Sequence, residues 1–189
     1  IGVDLGFFSN RLNLVFDWYK RNNFDLIGRM YNSGVGGFST KFGNVAEMSA
    51  HGVEFTLSSR NITNDSHDRN GVTWTTDFTF SYAKNTITKL QSRSTVMNLV
   101  QSSGFAKEGY PQRAIFSIPF VGLNSHGIPQ FLSPTGEVVT TDINFQDWEN
   151  TGYLKYEGPV DAPYTGGFGN NVTWRGFHLN VFLTYAFGN

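Results

Sequence analysis

The sequence predicts an all-β protein, and three observations support that prediction. Apolar and polar residues alternate over long stretches. Charged residues make up only 15% of the 189-residue chain, and aromatic residues make up 16%. Alternation with a period of two is typical of a strand that has one apolar and one polar face. A typical globular domain contains about 25% charged residues, so the strand pattern here is combined with unusually few charges.

The composition excludes several other classes of protein. Fourteen basic and fifteen acidic residues give a net charge of −1, which argues against nucleic-acid binding. The chain has no cysteine, so disulfide frameworks and thiolate metal sites are excluded. No stretch approaches the roughly 20 apolar residues of a transmembrane helix. Because the chain begins at Ile1, we expect it to be a piece of a longer or processed protein.

Three segments show the alternation most clearly. Every second residue is apolar or aromatic over residues 12–18, 72–82 and 177–187, with Thr76 as a lapse, and the intervening residues are mostly Thr, Ser, Asn and Asp. Val15 and Phe182 are the apolar exceptions on the polar faces. We therefore expect strands with one apolar and one polar face at all three places.

Connections of unequal length separate these segments. Ser9-Asn10-Arg11 and Trp174-Arg175-Gly176 predict tight hairpin turns. Two connections are long, at roughly residues 28–43 and 90–164. The second carries all six prolines, so we expect loop or edge structure there and no central strand or helix. The number of membrane-crossing strands within this connection must be even, so it contains either none or two. Residues 113–121 are a candidate for one strand of such a pair.

The length of the alternating runs favours a membrane barrel over a soluble sandwich. Strands of globular proteins are usually about five or six residues long, whereas a strand that crosses a bilayer needs about 9–11. None of the three apolar stripes contains a charged residue, and Trp18, Trp74 and Tyr185 lie near the stripe ends, as in interfacial aromatic girdles. The sequence thus predicts a segment of a large antiparallel transmembrane β-barrel. A passive porin and a secreted carbohydrate-binding β-sandwich remain alternatives.

Connection length also predicts the orientation of the strands. Outer-membrane barrels have short periplasmic turns and long extracellular loops. The turns at Asn10 and Arg175, together with residues 61–71, are then periplasmic. The connections around Gly36 and Pro134 are then extracellular.

Several segments are more specific than alternation alone. They are GNVAEMSAHGVEF at residues 43–55, FSYAKNTITKL at 80–90, YTGGFGN at 164–170, WRGFHL at 174–179 and YAFGN at 185–189. Together with the hairpin of residues 1–19, they resemble the SusC/RagA family of TonB-dependent outer-membrane transporters. The resemblance follows the family order over nearly the whole chain and is weakest at residues 112–160. The calcium-binding type of loop found in many relatives is not present in this sequence.

That resemblance implies a larger assembly. Residues 1–189 would be a partial barrel domain in the bacterial outer membrane, within a plugged barrel of about 22 strands. The plug domain and the remaining strands would lie outside this sequence. The resemblance also implies import of a glycan or peptide, a SusD-like surface lipoprotein over the extracellular mouth, and energy from a TonB–ExbB–ExbD complex that contacts the missing N-terminal part.

The sequence contains no recognisable catalytic set, so we do not expect an enzyme. Transport requires no bond chemistry, and neither a Ser-His-Asp elbow nor a phosphate-binding glycine loop is present. The four histidines are scattered, at positions 51, 67, 126 and 178, and none pairs at metal-ligand spacing. We therefore predict no metal and no cofactor.

Aromatic residues in the two long connections are the candidate cargo contacts. Sugar rings stack on aromatic side chains, and neighbouring polar groups bind their hydroxyls. The candidates are Tyr31 and Phe38 in the first connection, and Tyr110, Trp148, Tyr153, Tyr156 and Tyr164 in the second.

Overall fold

The computed structural model describes residues 1–31, 34, 37, 40–64 and 71–189, except for the side chains of Arg29, Tyr31 and Thr40. Nearly all of its regular structure is antiparallel β-sheet, which confirms the predicted all-β fold. Within these residues, no helix is long and apolar enough to span a bilayer.

The described part of the chain contains eleven strands and one short helix. In chain order they are β1 (Gly2–Phe7), β2 (Leu12–Tyr31), β3 (Thr40–Ile62), β4 (Val72–Leu90), α1 (Val96–Leu99), β5 (Ala114–Ser117), β6 (Phe120–Leu123), β7 (Pro129–Leu132), β8 (Val138–Val139), β9 (Lys155–Pro159), β10 (Tyr164–Trp174) and β11 (Phe177–Phe187). The long strands form one six-stranded sheet in the order β1-β2-β3-β4-β10-β11. Strands β5 and β9 form a second sheet, and β6, β7 and β8 form a third.

Strand β4 pairs directly with β10, so residues 91–163 add no strand to the large sheet. Of the two possibilities left open by the sequence, the correct one is that this connection contains no crossing strand. The prediction of a membrane-crossing strand at residues 113–121 is wrong. This segment contains β5 and the beginning of β6, which are four residues each and pair with β9 and β7. Pro119 separates them, and proline cannot donate to a strand ladder.

The first long connection is shorter than predicted, because β2 continues to Tyr31 and β3 begins at Thr40. Gly28 and Gly43, the predicted ends of this connection, lie inside these strands. A Cβ atom at Gly28 would lie 2.5 Å from Cγ2 of Val45, and one at Gly43 would lie 2.6 Å from Sδ of Met30. These glycines therefore make room for a side chain of the neighbouring strand. From the sequence alone, a glycine with this role looks the same as a glycine in a flexible loop.

Both predicted hairpin turns are confirmed. Residues 8–11 join β1 to β2, and Phe8, Ser9 and Asn10 all have positive φ angles, of 53°, 54° and 62°. Arg175 and Gly176 join β10 to β11 with φ angles of 49° and 82°. Two central residues with positive φ are the requirement of the type I′ turn, whose twist matches that of the flanking strands.

The chain divides into two compact units. Unit 1 contains Ile1–Arg21, His51–Lys84 and Ala162–Gly188. Unit 2 contains Asn22–Ala50, Asn85–Asp161 and Asn189. Strands β2, β3 and β4 contribute residues to both, whereas β1, β10 and β11 belong to unit 1.

In unit 1, the register of the strands places the predicted apolar stripes on one face. Phe78 of β4 pairs with Phe168 of β10, which pairs with Leu183 of β11. Paired residues share a face of the sheet, so the stripes of these strands coincide. Phe177 and Leu183 are 75% and 61% exposed. This face is therefore uncovered over its apolar residues, unlike the inner face of a sandwich.

The apolar face has the height expected of a membrane belt. The ten residue steps from Val72 to Tyr82 span roughly 34 Å along the strand, and a tilt of about 40° reduces that to roughly 26 Å. Aromatic rings mark one edge, where the centroid of Tyr164 lies 5.0 Å from Tyr82 and 5.1 Å from Phe187. Trp74 and Trp174 lie toward the other edge. Trp74 and Tyr185, two of the aromatic residues predicted near the stripe ends, thus lie close to opposite edges of the belt.

Polar residues within the apolar face hydrogen-bond to one another. The Thr76 hydroxyl donates to Oδ1 of Asn170 at 2.8 Å and accepts from Nδ2 of Asn61 at 2.7 Å. The indole N–H of Trp74 donates to the same Asn170 oxygen at 2.9 Å. An unsatisfied polar group costs several kcal/mol in lipid, and this network across three strands reduces that cost at the Thr76 lapse.

The opposite face is polar. Ser58 donates to the Asp77 carboxylate at 2.8 Å, and Nδ2 of Asn180 donates to Oδ1 of Asn171. Such side chains suit a hydrated interior. The apolar exception, Phe182, lies against glycines: Cβ atoms at Gly167 and Gly169 would lie 2.9 and 3.1 Å from its ring. Its ring is thereby packed on the backbone of β10.

Tyr185 crosses β10 on the apolar face. Its hydroxyl donates to the backbone carbonyl of Thr79 on β4 at 2.9 Å. A Cβ atom at Gly166 of β10 would collide with both the Tyr185 ring and the Thr79 carbonyl. Gly166 is therefore required for this contact between β11 and β4.

The face assignment predicts unequal effects of arginine at two adjacent positions. Phe78→Arg places a charge on the lipid-facing side near the middle of the belt, where it costs about 2–4 kcal/mol. Thr79→Arg places it on the polar side. We expect Phe78→Arg to lower the amount of folded protein in the outer membrane much more than Thr79→Arg, as measured by heat-modified mobility on gels. Equal losses would contradict the assignment.

The close approach at Gly166 predicts a steric effect of one methyl group. Gly166→Ala should destabilise the folded barrel by about 1–3 kcal/mol through overpacking, measured as a lower urea midpoint in vesicles. Gly152→Ala is the matched control, because no atom lies within 4 Å of a Cβ at Gly152. A Gly166→Ala midpoint equal to that of the control would show that Tyr185 does not cross β10 in this way.

Candidate functional site

Residues 91–161, here called the connection module, are a folded part of unit 2 with their own apolar core. The core contains Val96 and Leu99 of α1, Ala114 and Phe116 of β5, and Leu154. Val96, Leu99 and Ala114 are fully buried. The expectation of loop and edge structure without a helix is corrected by α1, whose four residues are too few to show a helical period in the sequence.

The backbone of α1 is joined to residues 145–147. The first two N–H groups of the helix, of Val96 and Met97, donate to the carbonyls of Asp147 at 2.8 Å and Phe145 at 2.9 Å. Thr95 caps the helix in a capping box with Asn98. The N–H groups that a helix start leaves without intrahelical partners are therefore satisfied, and the two segments are held side by side.

A carboxylate turn continues from this junction. Asp147 accepts from the backbone N–H groups of Glu149 at 2.9 Å and Asn150 at 3.0 Å, and from Nδ2 of Asn150 at 3.0 Å. The hydrogen bonds from Asn150, followed by that from Glu149, lower the pKa of Asp147 below its ordinary value of 3.8. The contribution of the ionised Asp147 to folding stability is therefore complete above the ordinary pKa. It is lost as the pH falls through the lower pKa of the folded state.

Trp148 lies within this turn and carries a stacked cation. Cζ of Arg93 lies 3.7 Å from the centroid of the Trp148 ring, which is within the distance of a cation–π interaction. Trp148 is 41% exposed, and Arg93 is exposed as well. The predicted cargo contact at Trp148 is thus an accessible side chain in a fixed turn, next to a guanidinium group.

Tyr110 and Tyr156 form an aromatic cluster with the buried Phe116. The three ring centroids lie between 4.9 and 5.5 Å apart. Nζ of Lys107 lies 4.8 Å from the Phe116 ring and donates to the carbonyl of Thr151 at 3.1 Å. Burial lowers the pKa of Lys107, and burial followed by the charge of Tyr110 raises the pKa of Tyr156. This cluster packs the module, and part of Tyr156 remains exposed.

The other predicted contacts lie in different places. Tyr153 packs against the core of the connection module, and burial followed by the charge of Asp147 raises its pKa. Tyr164 belongs to unit 1, where it opens β10 and joins the aromatic edge of the apolar face. Phe38 lies outside the described residues, and the description of Tyr31 is limited to its backbone at the end of β2. Of the candidates within the connection module, the structure therefore brings Tyr110 and Tyr156 into contact.

Most cations of the connection module are already engaged. Arg113 pairs with Asp161 at 2.6 Å, and Lys155 pairs with Glu157 at 3.0 Å. The hydrogen bond from the Ser117 hydroxyl and then that from Lys155 lower the pKa of Glu157. Throughout residues 91–161, all of which are described, Arg93 has no hydrogen-bond acceptor or acidic partner, so its N–H groups are available.

Sequence reasoning missed Arg93 as the neighbour of Trp148 and the grooves on the polar face of unit 1. Arg93 is distant from Trp148 in sequence, and no spacing rule joins them. Unit 1 carries two shallow grooves. The polar residues that line the first include Glu54, Thr56, Thr79, Ser81 and Thr165, and those that line the second include Asn13, Ser58, Arg60, Thr75 and Asp77. The period-two pattern could have identified these residues as one face. In the described part of the chain, no three possible metal ligands lie together.

Comparisons with known proteins agree with this architecture, although no family model matches the chain. The chain is 28% identical over its whole length to TonB-dependent receptor P3 of Formosa agariphila and spans 20% of that protein. It is 24% identical over its whole length to TonB-dependent receptor P39 of the same organism and spans 21% of it. The chain thus spans about a fifth of the length of these curated relatives.

Solved structures show the same fold. In the structure of the RagAB peptide transporter, the match covers 98% of this chain and 20% of that chain, with 22% identity and a TM-score of 0.74. In the RagAB peptide importer in its closed-closed state, it covers 99% and 20%, with 25% identity and a TM-score of 0.73. Sequence and fold agree: the chain is a segment of an integral outer-membrane β-barrel and is similar to TonB-dependent receptors and to the RagAB transporter.

Proposed function

We propose that this chain is part of an importer that carries a nutrient oligomer, either a peptide or a glycan, across the outer membrane. The observation that carries the proposal is the register of β4, β10 and β11, which separates an uncovered apolar face from a face of Thr, Ser, Asn and Asp. A barrel with such walls gives a polar solute a hydrated path through lipid. The names of the relatives, as TonB-dependent receptors and as a peptide transporter, support this direction.

The proposed importer contains more than this chain. Residues 1–189 supply part of the barrel wall, and a plug domain and further strands complete the protein. A TonB–ExbB–ExbD complex supplies energy through the N-terminal part, and a SusD-like surface lipoprotein covers the extracellular mouth. The support for these partners is the family resemblance and the names of the relatives. Import of this kind breaks no covalent bond in the cargo, so the proposed protein is not an enzyme.

The connection module is the proposed place of cargo contact. We place it on the extracellular side, because the long connections of such barrels lie there. Trp148 is the strongest candidate, because its turn is held by Asp147 and its ring is accessible. Tyr110, Tyr153 and Tyr156 offer smaller exposed edges, while Tyr31 and Phe38 stay sequence predictions. Tyr164 fits a contact with lipid headgroups better than a contact with cargo, given its place at the belt edge.

A growth experiment tests the proposed importer. The full-length gene is deleted in its native host, and growth is measured on a panel of single oligosaccharides and peptides, with a TonB deletion tested beside it. We expect both deletions to abolish growth on the same oligomer. Growth that requires the barrel but survives without TonB would indicate a passive porin. Unchanged growth of the barrel deletion on every oligomer would contradict import.

Replacement of Trp148 tests the place of cargo contact. We expect Trp148→Ala to lower uptake of the identified oligomer by about tenfold, the effect of losing about 1.4 kcal/mol of aromatic contact, without lowering the amount of barrel in the membrane. Ile128→Ala, an exposed apolar residue of the same module, serves as the control and should leave uptake unchanged. Normal uptake by Trp148→Ala would exclude Trp148 as a contact.

A further inference from the structure

We propose that Arg93 and Trp148 form a binding subsite for side-chain carboxylates of an acidic peptide cargo. The inference rests on the proposed import function and names the class of cargo. Cζ of the Arg93 guanidinium lies 3.7 Å from the centroid of the indole ring, and this cation–π contact holds the guanidinium beside the ring. A planar guanidinium can bind a carboxylate with two parallel N–H···O bonds.

The subsite is fixed before a ligand arrives. Arg93 lies two residues before the helix cap at Thr95, and Trp148 directly follows Asp147, whose carbonyl accepts the N–H of Val96 at 2.8 Å. Val96 itself is fully buried in the core of the module. The two side chains therefore extend from backbone segments that are joined to each other and anchored in packed structure. Little conformational entropy is left to lose on binding, which favours affinity.

The donors of Arg93 are available for a ligand. Arg113 and Lys155 are paired with carboxylates at 2.6 and 3.0 Å, and Lys107 donates to a carbonyl. Among the described residues, the contact of Arg93 is with the ring of Trp148, and no hydrogen bond or ion pair occupies its N–H groups. These N–H groups lie in the plane of the guanidinium, and a carboxylate that approaches in this plane meets no competing acidic partner within the module.

The connection module is negatively charged, so an acidic cargo can bind there only through a specific contact. Residues 91–161 contain four basic and seven acidic residues, a net charge of 4 − 7 = −3. The long-range electrostatic field of the module therefore repels anions. The Asp147 carboxylate accepts hydrogen bonds within its own turn, but it keeps its negative charge, so both it and the exposed Glu149 repel an incoming carboxylate. Binding of an acidic cargo consequently depends on direct contact with Arg93, and removal of this one charge should have a large effect.

The stack also distinguishes between a peptide and a glycan. A sugar ring binds an aromatic residue by lying on its face, and Arg93 covers one face of Trp148. A flexible side-chain carboxylate can reach the edge of the guanidinium without displacing it. Since at most one face of Trp148 is left for a sugar ring and a flexible carboxylate needs neither face, we expect an acidic peptide to bind more tightly than an acidic polysaccharide.

Binding to the purified full-length protein in detergent tests the proposal. The probes are the N-acetylated, C-amidated tetrapeptides Ala-Glu-Glu-Ala and Ala-Gln-Gln-Ala, with trigalacturonate as the acidic glycan, measured by isothermal titration calorimetry. We expect the Glu peptide to bind at least about tenfold more tightly than the Gln peptide, and more tightly than trigalacturonate. Arg93→Gln should abolish this preference, and Arg93→Lys should restore only part of it, because lysine lacks the planar pair of donors.

Lys155→Gln is the matched control, since it removes one positive charge from the same module at a position already paired with Glu157. It should keep the preference for the Glu peptide. Equal binding of the two peptides by the unaltered protein, a preference retained in Arg93→Gln, or tighter binding of trigalacturonate would each overturn the proposal. The assay needs no transport, so failure of the import proposal would appear separately, as growth that does not depend on the barrel or on TonB.

Discussion

The hydrogen-bonded register of β4, β10 and β11 is the constraint on which the other features of unit 1 depend. A bilayer offers no partners to backbone N–H and C=O groups, so the strands must satisfy one another. With that pairing fixed, Phe78, Phe168 and Leu183 fall on one face and Asp77 falls on the other. The low charge and high aromatic content of the chain follow from the need to keep one whole face compatible with lipid.

The exceptions to the pattern are explained by contacts that the same register creates. Phe182 is apolar on the polar face because Gly167 and Gly169 leave room for its ring on the neighbouring strand. Thr76 is polar on the apolar face because Asn61 and Asn170 hydrogen-bond to it from the strands on either side. Neither residue would be suitable at its position in an isolated strand, so both depend on the assembled sheet.

The sequence was sufficient for the fold class, both hairpin turns and the two faces of the strands, because period two is a local property. It failed where the structure depends on distant residues. Gly28 looks like a loop residue until Val45 is placed opposite it, and residues 113–121 look like one strand until β9 and β7 pair with its two halves. Trp148 could be chosen from composition alone, but its partner Arg93 could not, since their proximity depends on the hydrogen bond from Val96 to Asp147.

One face of this sheet meets lipid, and the other meets water. The most direct test is cysteine scanning of residues 72–82, one position at a time, in the full-length protein in outer-membrane vesicles, each cysteine carrying a fluorophore. The chain itself has no cysteine. We predict that a lipid-soluble nitroxide quenches the even positions and that aqueous iodide quenches the odd ones. Quenching that does not alternate with a period of two, or that has the opposite phase, would contradict the account.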